Sequence, residues 1–355
     1  MINKIFGIIV GVFLLTGSIT IAENIERNST ISSTKEISNV SFDDDTPIWA
    51  FDNFWNFKID NMTIDFEQEG QYIHMTLETN KLELNVNEIT TDSYILNLDA
   101  TITGSGIADI DIGDGPINLT LDLKETKLTG TIVFNKSDLG IKQLNPKLVG
   151  QLLINIIDQP YIENLPISKI SIRATIDVST SLSIPLTIID FPINVSNIWG
   201  IPGINISLEG TIKSPWLRLV NFINKLASRP LPWRLLMIIA SSQGIDEQTL
   251  KNISDIIKDV LPVINISYVL EEYLKIGNVF EIPEIPDILL CENLSEITVQ
   301  GNPYNAYNIS VIGGLGNIYY APEAGNIVKI SGNLKDIIPF VSDLNMELIN
   351  TNYQP

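Results

Sequence analysis

Histidine and cysteine are almost absent. The chain has one of each, His74 and Cys291, among 355 residues. A lone thiol cannot close an internal disulfide, so stability has to come from burial. Cys291 lies in IPDILLCENL, an apolar context that reads as a small buried hydrophobe. A lone imidazole leaves one residue to serve any Ser-His-Asp or Cys-His arrangement. His74, inside YIHMTLE, alternates like a plain surface or edge residue of a strand. Zinc needs three or four His, Cys or carboxylate ligands, and the usual set cannot be assembled here. Positive charge is scarce too: 22 Lys and Arg against 42 Asp and Glu give a formal net charge of −20. That excludes a basic stripe for nucleic acid and electrostatic docking on anionic lipid. It reads as a soluble acidic surface. No stretch nominates a carboxylate pair for glycoside hydrolysis. The expectation is a protein that is not an enzyme and uses no metal or cofactor.

What the chain does have is alternation. Over Tyr94–Phe134, Leu96, Leu98, Ala100 and Ile102 fall on one face, and Asn97, Asp99, Thr101 and Thr103 on the other. Past the GDGP turn, Ile117, Leu119, Leu121 and Leu123 alternate with Asn118, Thr120, Asp122 and Lys124. A period of two places successive side chains on opposite faces of a sheet, so this stretch reads as an antiparallel meander, oily inside and wet outside.

Around it, the chain divides as follows. Residues 1–22 read as a secretory signal: Lys4, an apolar run Ile5–Leu15, then Thr20-Ile21-Ala22 as a cleavage site. An uncleaved N-terminal membrane anchor is the alternative, since Ile5–Ala22 is just long enough to span a bilayer. Residues 23–46 are polar and aperiodic and read as a disordered linker. Residues 47–355 read as one β-rich domain. Its opening cluster, Trp49, Phe51, Phe54, Trp55 and Phe57, reads as a packing anchor for the first strand, with an aromatic sugar box as the alternative.

Three helical segments are expected. Asn145-Pro146 looks like an N-cap followed by proline at the first helical position. Leu148, Val149, Leu152, Leu153, Ile156 and Ile157 then form a stripe over 145–158. Ser214-Pro215 opens a second, over 214–228, with Trp216 and Leu219 on one side. The third covers 231–276 and includes WRLLMIIA, apolar all round and too short to span a bilayer. Two β-rich regions also look like an internal repeat: DATITGSG with RATIDVST, PINLT with PINVS, and LTGTI with LEGTI.

Motifs with chemistry are few. Asp109-Ile-Asp111-Ile-Gly113-Asp114-Gly115 is similar to a calcium loop but lacks the ligand at position five and the distal glutamate. Alternating Asp before a tight turn explains it. Asp43-Asp44-Asp45 reads as a solvated run. N-x-[S/T] occurs at Asn28, Asn39, Asn61, Asn118, Asn135, Asn194, Asn205, Asn252, Asn265, Asn293 and Asn308. In an exported chain these are glycan acceptors; Asn61, Asn118, Asn194, Asn205 and Asn308 are the leading candidates.

Long amphipathic strands plus oily helices resemble the half-barrel of the LolA/LppX-type lipoprotein carriers, and the tubular lipid-binding proteins. The resemblance is architectural, over roughly Trp49 to Tyr353. No lipobox cysteine follows the apolar run, unlike LppX, and the chain is long for LolA. What the resemblance implies is an α+β fold: a large curved antiparallel sheet, half-barrel-like, with amphipathic and apolar helices packed on its apolar face. It also implies a cavity for a hydrophobic small molecule or lipid. The residues expected to line it are Trp216, Trp233, Leu236, Met237 and Ile239. The expected function is a secreted or cell-surface carrier of a hydrophobic ligand. The alternative is a structural or adhesive cell-envelope protein that meets other envelope components.

Overall fold

The computed structural model describes residues 46–68, 71–111, 116–158, 169–213, 269–270, 273–282, 284–337 and 341–355. Their architecture is one antiparallel sheet. Six long strands come first: β1 Phe54–Gln68, β2 Gln71–Ile89, β3 Ser93–Asp111, β4 Pro116–Asn135, β5 Ile141–Asp158 and β6 Lys169–Leu186. Shorter ones follow: β7 Ile198–Ile201, β8 Ile204–Lys213, β9 Val269–Leu270, β10 Tyr273–Ile282, β11 Ile285–Val299, β12 Asn302–Val311, β13 Asn317–Ala321, β14 Asn326–Gly332 and β15 Val341–Thr351. Neighbours run β7-β11-β12-β13-β14-β15-β1-β2-β3-β4-β5-β6-β8-β10-β9.

The two ends of that order are one ribbon. Ile201 pairs with Ile285, and Ile204 pairs with Ile282. Pro202-Gly203 is all that separates β7 from β8, and residues 283–284 are all that separate β10 from β11. The register carries across this proline-marked break, so β7–β8 and β10–β11 are two bent passes of chain. The β8 end of the ribbon bonds to β6 and the β11 end bonds to β12, which closes the sheet into a ring. The six long strands, the two ribbon passes and β12–β15 make twelve passes. Following partners from Phe57 leads through Leu82, Ala100, Leu128, Leu148, Ile176 and Ile212 to Leu274. From the adjacent Lys58 the other way, the path runs through Glu347, Lys329, Tyr319 and Asn308 to Asn293. Leu274 and Asn293 lie on the same bent pass, and this stagger is the shear that closing a barrel requires.

Alternation decides which face is inside. Leu96, Leu98, Ala100 and Ile102 are buried, while Asn97, Asp99 and Thr101 are exposed. Beside them Leu121, Leu123, Leu128 and Ile132 point the same way and are buried. Lys127 pairs with Asp99 at 3.4 Å and Lys147 with Asp177 at 3.7 Å on the outer face. An apolar interior with a charged exterior reverses the pattern of a membrane-spanning barrel, whose lipid face is apolar. Among the described residues, no helix is long and apolar enough to cross a membrane.

A line of bulges crosses the long strands, at Ile59/Met62 and Glu78/Leu82, at Ile102/Gly104, and at Lys124/Lys127. Bulges free backbone groups and bend a sheet. Buried threonines satisfy some of those groups: Thr79 Oγ1 donates to the carbonyl of Thr101 at 2.7 Å, and Thr126 Oγ1 to that of Lys124 at 2.8 Å. Gly150 makes room for the second, since a Cβ there would sit 2.0 Å from Thr126 Oγ1.

Four expectations are corrected. The segment 145–158 is not a helix; it is strand β5, bonded to β4 and β6. Leu148 and Leu152 are four apart, a spacing that fits a helical turn and two strand repeats alike. Leu144, Leu148, Leu152 and Ile154 are buried, whereas Val149 and Ile157 are 46% and 57% exposed, so the period is two. Two unpaired strand edges on either side outweighed the apparent cap. Within 231–276, Val269–Leu270 and Tyr273–Ile276 are strand, not helix. The remainder of that segment, and 214–228, lie outside the described residues. The α+β class with helices on the apolar face is therefore replaced by a nearly all-antiparallel sheet. Among the described residues the one helical element is a 3-10 turn, Pro322–Ala324. The repeat is not kept in three dimensions either: PINLT lies in β4, but PINVS falls in the link between β6 and β7.

Candidate functional site

Three features carry side chains that could do something: the interior, one polar cluster on β1 and β2, and a trough on the outer face. The interior is sealed at one end by aromatics. Trp49 and Trp55 are both buried, with ring centroids 4.8 Å apart. Trp49 also meets Tyr94 and Phe134 at 5.2 Å, and Trp55 meets Tyr353 at 6.1 Å. Their indole N–H groups donate inward, Trp49 to the carbonyl of Gly325 at 2.9 Å and Trp55 to that of Ala324 at 2.7 Å. These two carbonyls belong to the 3-10 turn and its left-handed Gly325, where a Cβ would lie 2.6 Å from the Tyr353 ring. The opening aromatic cluster is thus a packing anchor; of its members, Phe51 alone stands well out, 61% exposed.

Away from that seal the lining stays apolar. β12–β14 end near the row Met62, Leu77, Gly104, Leu123 and Leu152, since Gly332 of β14 is level with Leu344, the partner of Met62. β2–β5 run on past it. There Ile73, Met75, Ala108, Leu119, Leu121 and Ile154 are all turned inward and buried.

The polar cluster centres on Asp65 of β1. His74 of β2, directly opposite, places Nδ1 2.6 Å from Asp65 Oδ1. Ser342 of β15 donates its hydroxyl to the other oxygen, and Tyr72 lies over the His74 ring at 6.4 Å. Burial pushes the Asp65 carboxyl up, but the bonds from Ser342 and His74 outweigh it and hold the group below its ordinary value. Chemically this is a clamp across three strands. In a Ser-His-Asp triad the serine hydroxyl faces the imidazole, whereas here Ser342 and His74 each bond the Asp65 carboxylate. Sequence reasoning treated His74 as a plain surface residue and missed its partners. Asp65 was within reach of a hairpin-register argument, but Ser342 is 277 residues from Asp65.

The trough follows the bulge line outside the ring. It holds about 300 Å³ beside Glu78, Asn80, Lys81, Thr103 and Glu125. It continues for about 410 Å³ beside Glu83, Asn85, Asn97, Asp99 and Thr129. Among the described residues no group of three or more His, Cys, Asp or Glu is placed to hold a metal. Residues 112–115 of the calcium-like loop lie outside the described residues.

The expected ligand residues Trp216, Trp233, Leu236, Met237 and Ile239 also lie outside the described residues. The sequons separate by environment. Asn194, Asn205 and Asn293 are exposed; Asn61, Asn118, Asn135 and Asn308 are half-buried. Cys291 is fully buried, and burial, aided by Glu292, pushes its thiol up to about 12. No family model, curated protein or solved structure matches this chain.

Proposed function

We propose that this is an exported, non-catalytic protein of the cell surface or its surroundings that holds a hydrophobic, lipid-like ligand inside its ring of strands. One observation carries the reading. The apolar lining of β2–β5 continues past the last residues of β12–β14, on a ring of twelve passes. Eight strands already make an interior that side chains can fill, and interior width grows with strand number. A long apolar interior in a wider ring is the environment an acyl chain or another water-insoluble molecule prefers, at about 25 cal/mol per Å² of apolar surface removed from water. The test is twofold. Mass spectrometry of solvent extracts from purified protein should find co-purifying lipid, and a fluorescent fatty acid should bind saturably and be displaced by that lipid. No extracted lipid together with no saturable binding overturns the reading.

A second reading, a structural or adhesive envelope protein, draws on the outer face. Its aligned bulges make a polar trough, and its side chains pair across strands, features suited to meeting another hydrated surface. It replaces the first if lipid binding fails while the protein stays folded and attached to cell-envelope material.

A further inference from the structure

We infer that Asn194, Asn205 and Asn293 carry N-linked glycans and that these shield an exposed apolar edge of the closing ribbon. The inference rests on the export proposed above and not on the lipid cargo. β7 is hydrogen-bonded to a strand on one side only, since β6 ends at Leu186 before reaching it. On and beside it, Val195 and Ile198 are 49% and 48% exposed. A one-sided strand with apolar side chains is a template for pairing with another chain, and folded proteins cover such edges.

Three acceptors surround this edge. Asn194 precedes Val195, in a link whose Ser196 N–H donates to the carbonyl of Cys291 at 2.7 Å, which fixes it beside β11. Asn293 lies two residues beyond Cys291 on β11, and Asn205 lies just past the bend on β8. All three are exposed, as a bulky hydrated sugar requires. Asn194 gives Nδ2 only to the carbonyl of Pro192 in an exposed turn, at 3.1 Å.

The half-buried sequons differ. Asn61 Nδ2 donates to Asp343 Oδ2 at 2.7 Å, and Asn135 Nδ2 is held between the two oxygens of Asp138 at 3.0 and 2.9 Å. A sugar on either would displace a charge-assisted bond. Asn308 stands directly opposite Asn293, with its Oδ1 buried and its Nδ2 on Glu292 at 3.1 Å. Cross-strand partners are roughly 5 Å apart, so one sugar excludes the second, and the open position is Asn293. In the modification, Asn Nδ2 displaces phosphate from C1 of a glycosyl-phosphate donor. The C1–O bond breaks, the C1–N bond forms, and the amide proton leaves to the transferring enzyme.

The full chain is secreted from a glycosylating host, digested, and deglycosylated in heavy-oxygen water, which marks each formerly occupied asparagine. Asn194, Asn205 and Asn293 are expected to be marked, and Asn61 and Asn135 unmarked. Asn28 and Asn39 in the N-terminal stretch report whether the chain met the machinery at all. Marks there with none on the three overturn this inference and leave export standing; no mark anywhere overturns both. The role is tested with Ser196→Ala, Ser207→Ala and Ser295→Ala together, which remove the three sequons but keep the asparagines, and with the three Asn→Gln changes as a second variant. Light scattering is expected to show a several-fold rise in mass from self-association with an unchanged far-ultraviolet spectrum. Monomers at the concentration of the glycosylated protein overturn the shield.

Discussion

Replacing Trp55 by alanine tests whether the aromatic seal anchors the ring. The side chain is fully buried, its ring tilted against that of Trp49 at 4.8 Å, and it is bonded through Nε1 to the Ala324 carbonyl at 2.7 Å. A buried tryptophan hides about 150–250 Å². At about 25 cal/mol per Å² that is roughly 4–6 kcal/mol, close to the ~3–5 kcal/mol found for aromatic-to-alanine changes in cores. The orphaned Ala324 carbonyl adds about 1–3 kcal/mol. Since total stability of a domain is about 5–15 kcal/mol, the variant should sit near its unfolding threshold. Trp55→Phe keeps a ring in the aromatic cluster but still orphans the carbonyl, and should cost about 1–3 kcal/mol. Phe51→Ala, in the same sequence cluster but 61% exposed, should cost under about 0.5 kcal/mol. Urea unfolding followed by far-ultraviolet circular dichroism measures all three without relying on the tryptophan signal. A loss below about 2 kcal/mol for Trp55→Ala, or equal losses for Trp55→Ala and Phe51→Ala, would refute the seal.

Other outcomes follow from the same geometry. Gly130→Ala places a Cβ 2.2 Å from the Asn145 carbonyl oxygen, so β4 and β5 must separate; a loss of about 1–3 kcal/mol in urea unfolding is expected. Cys291, buried and with its thiol pushed up to about 12, should resist a disulfide reagent at pH 8 in the native protein and react fully once unfolded. For Glu347, burial pushes the carboxyl up, but Lys329 at 2.7 Å and Gln300 at 2.6 Å more than offset it and hold it below its ordinary value. A depressed folded-state value means its stabilisation is complete above the ordinary value of 4.5 and is lost as pH falls through the folded value. Asp65 acts in the same direction. Stability should therefore be level from pH 7 to pH 5 and fall below about 4.5, with a shallower acid slope in Glu347→Gln, as read from midpoints of urea curves.

Strand period was legible where polar and apolar residues strictly alternate, because a spacing of two has no helical counterpart. That is why Tyr94–Phe134 could be placed; Cys291 could be read as buried for a different reason, the apolar Ile288-Leu289-Leu290 that precedes it. It failed at 145–158. There Val149, Leu153 and Ile157 put apolar groups on the outer face, and Leu148 and Leu152 satisfy both periods at once. Only the unpaired edges of β4 and β6 decided between them, and edges exist only in the tertiary structure. Ring closure was out of reach for the same reason: the register of Ile201 with Ile285 and of Ile204 with Ile282 spans more than seventy residues of intervening chain. Asp65, His74 and Ser342 meet because β15 returns beside β1, a pairing no local pattern encodes. Composition and periodicity thus determined the strands where alternation is strict, the apolar inside and the acidic outside. Which edges met, and so which polar groups became partners, was decided by long-range hydrogen bonding and by how a bent sheet could bury its apolar face against itself.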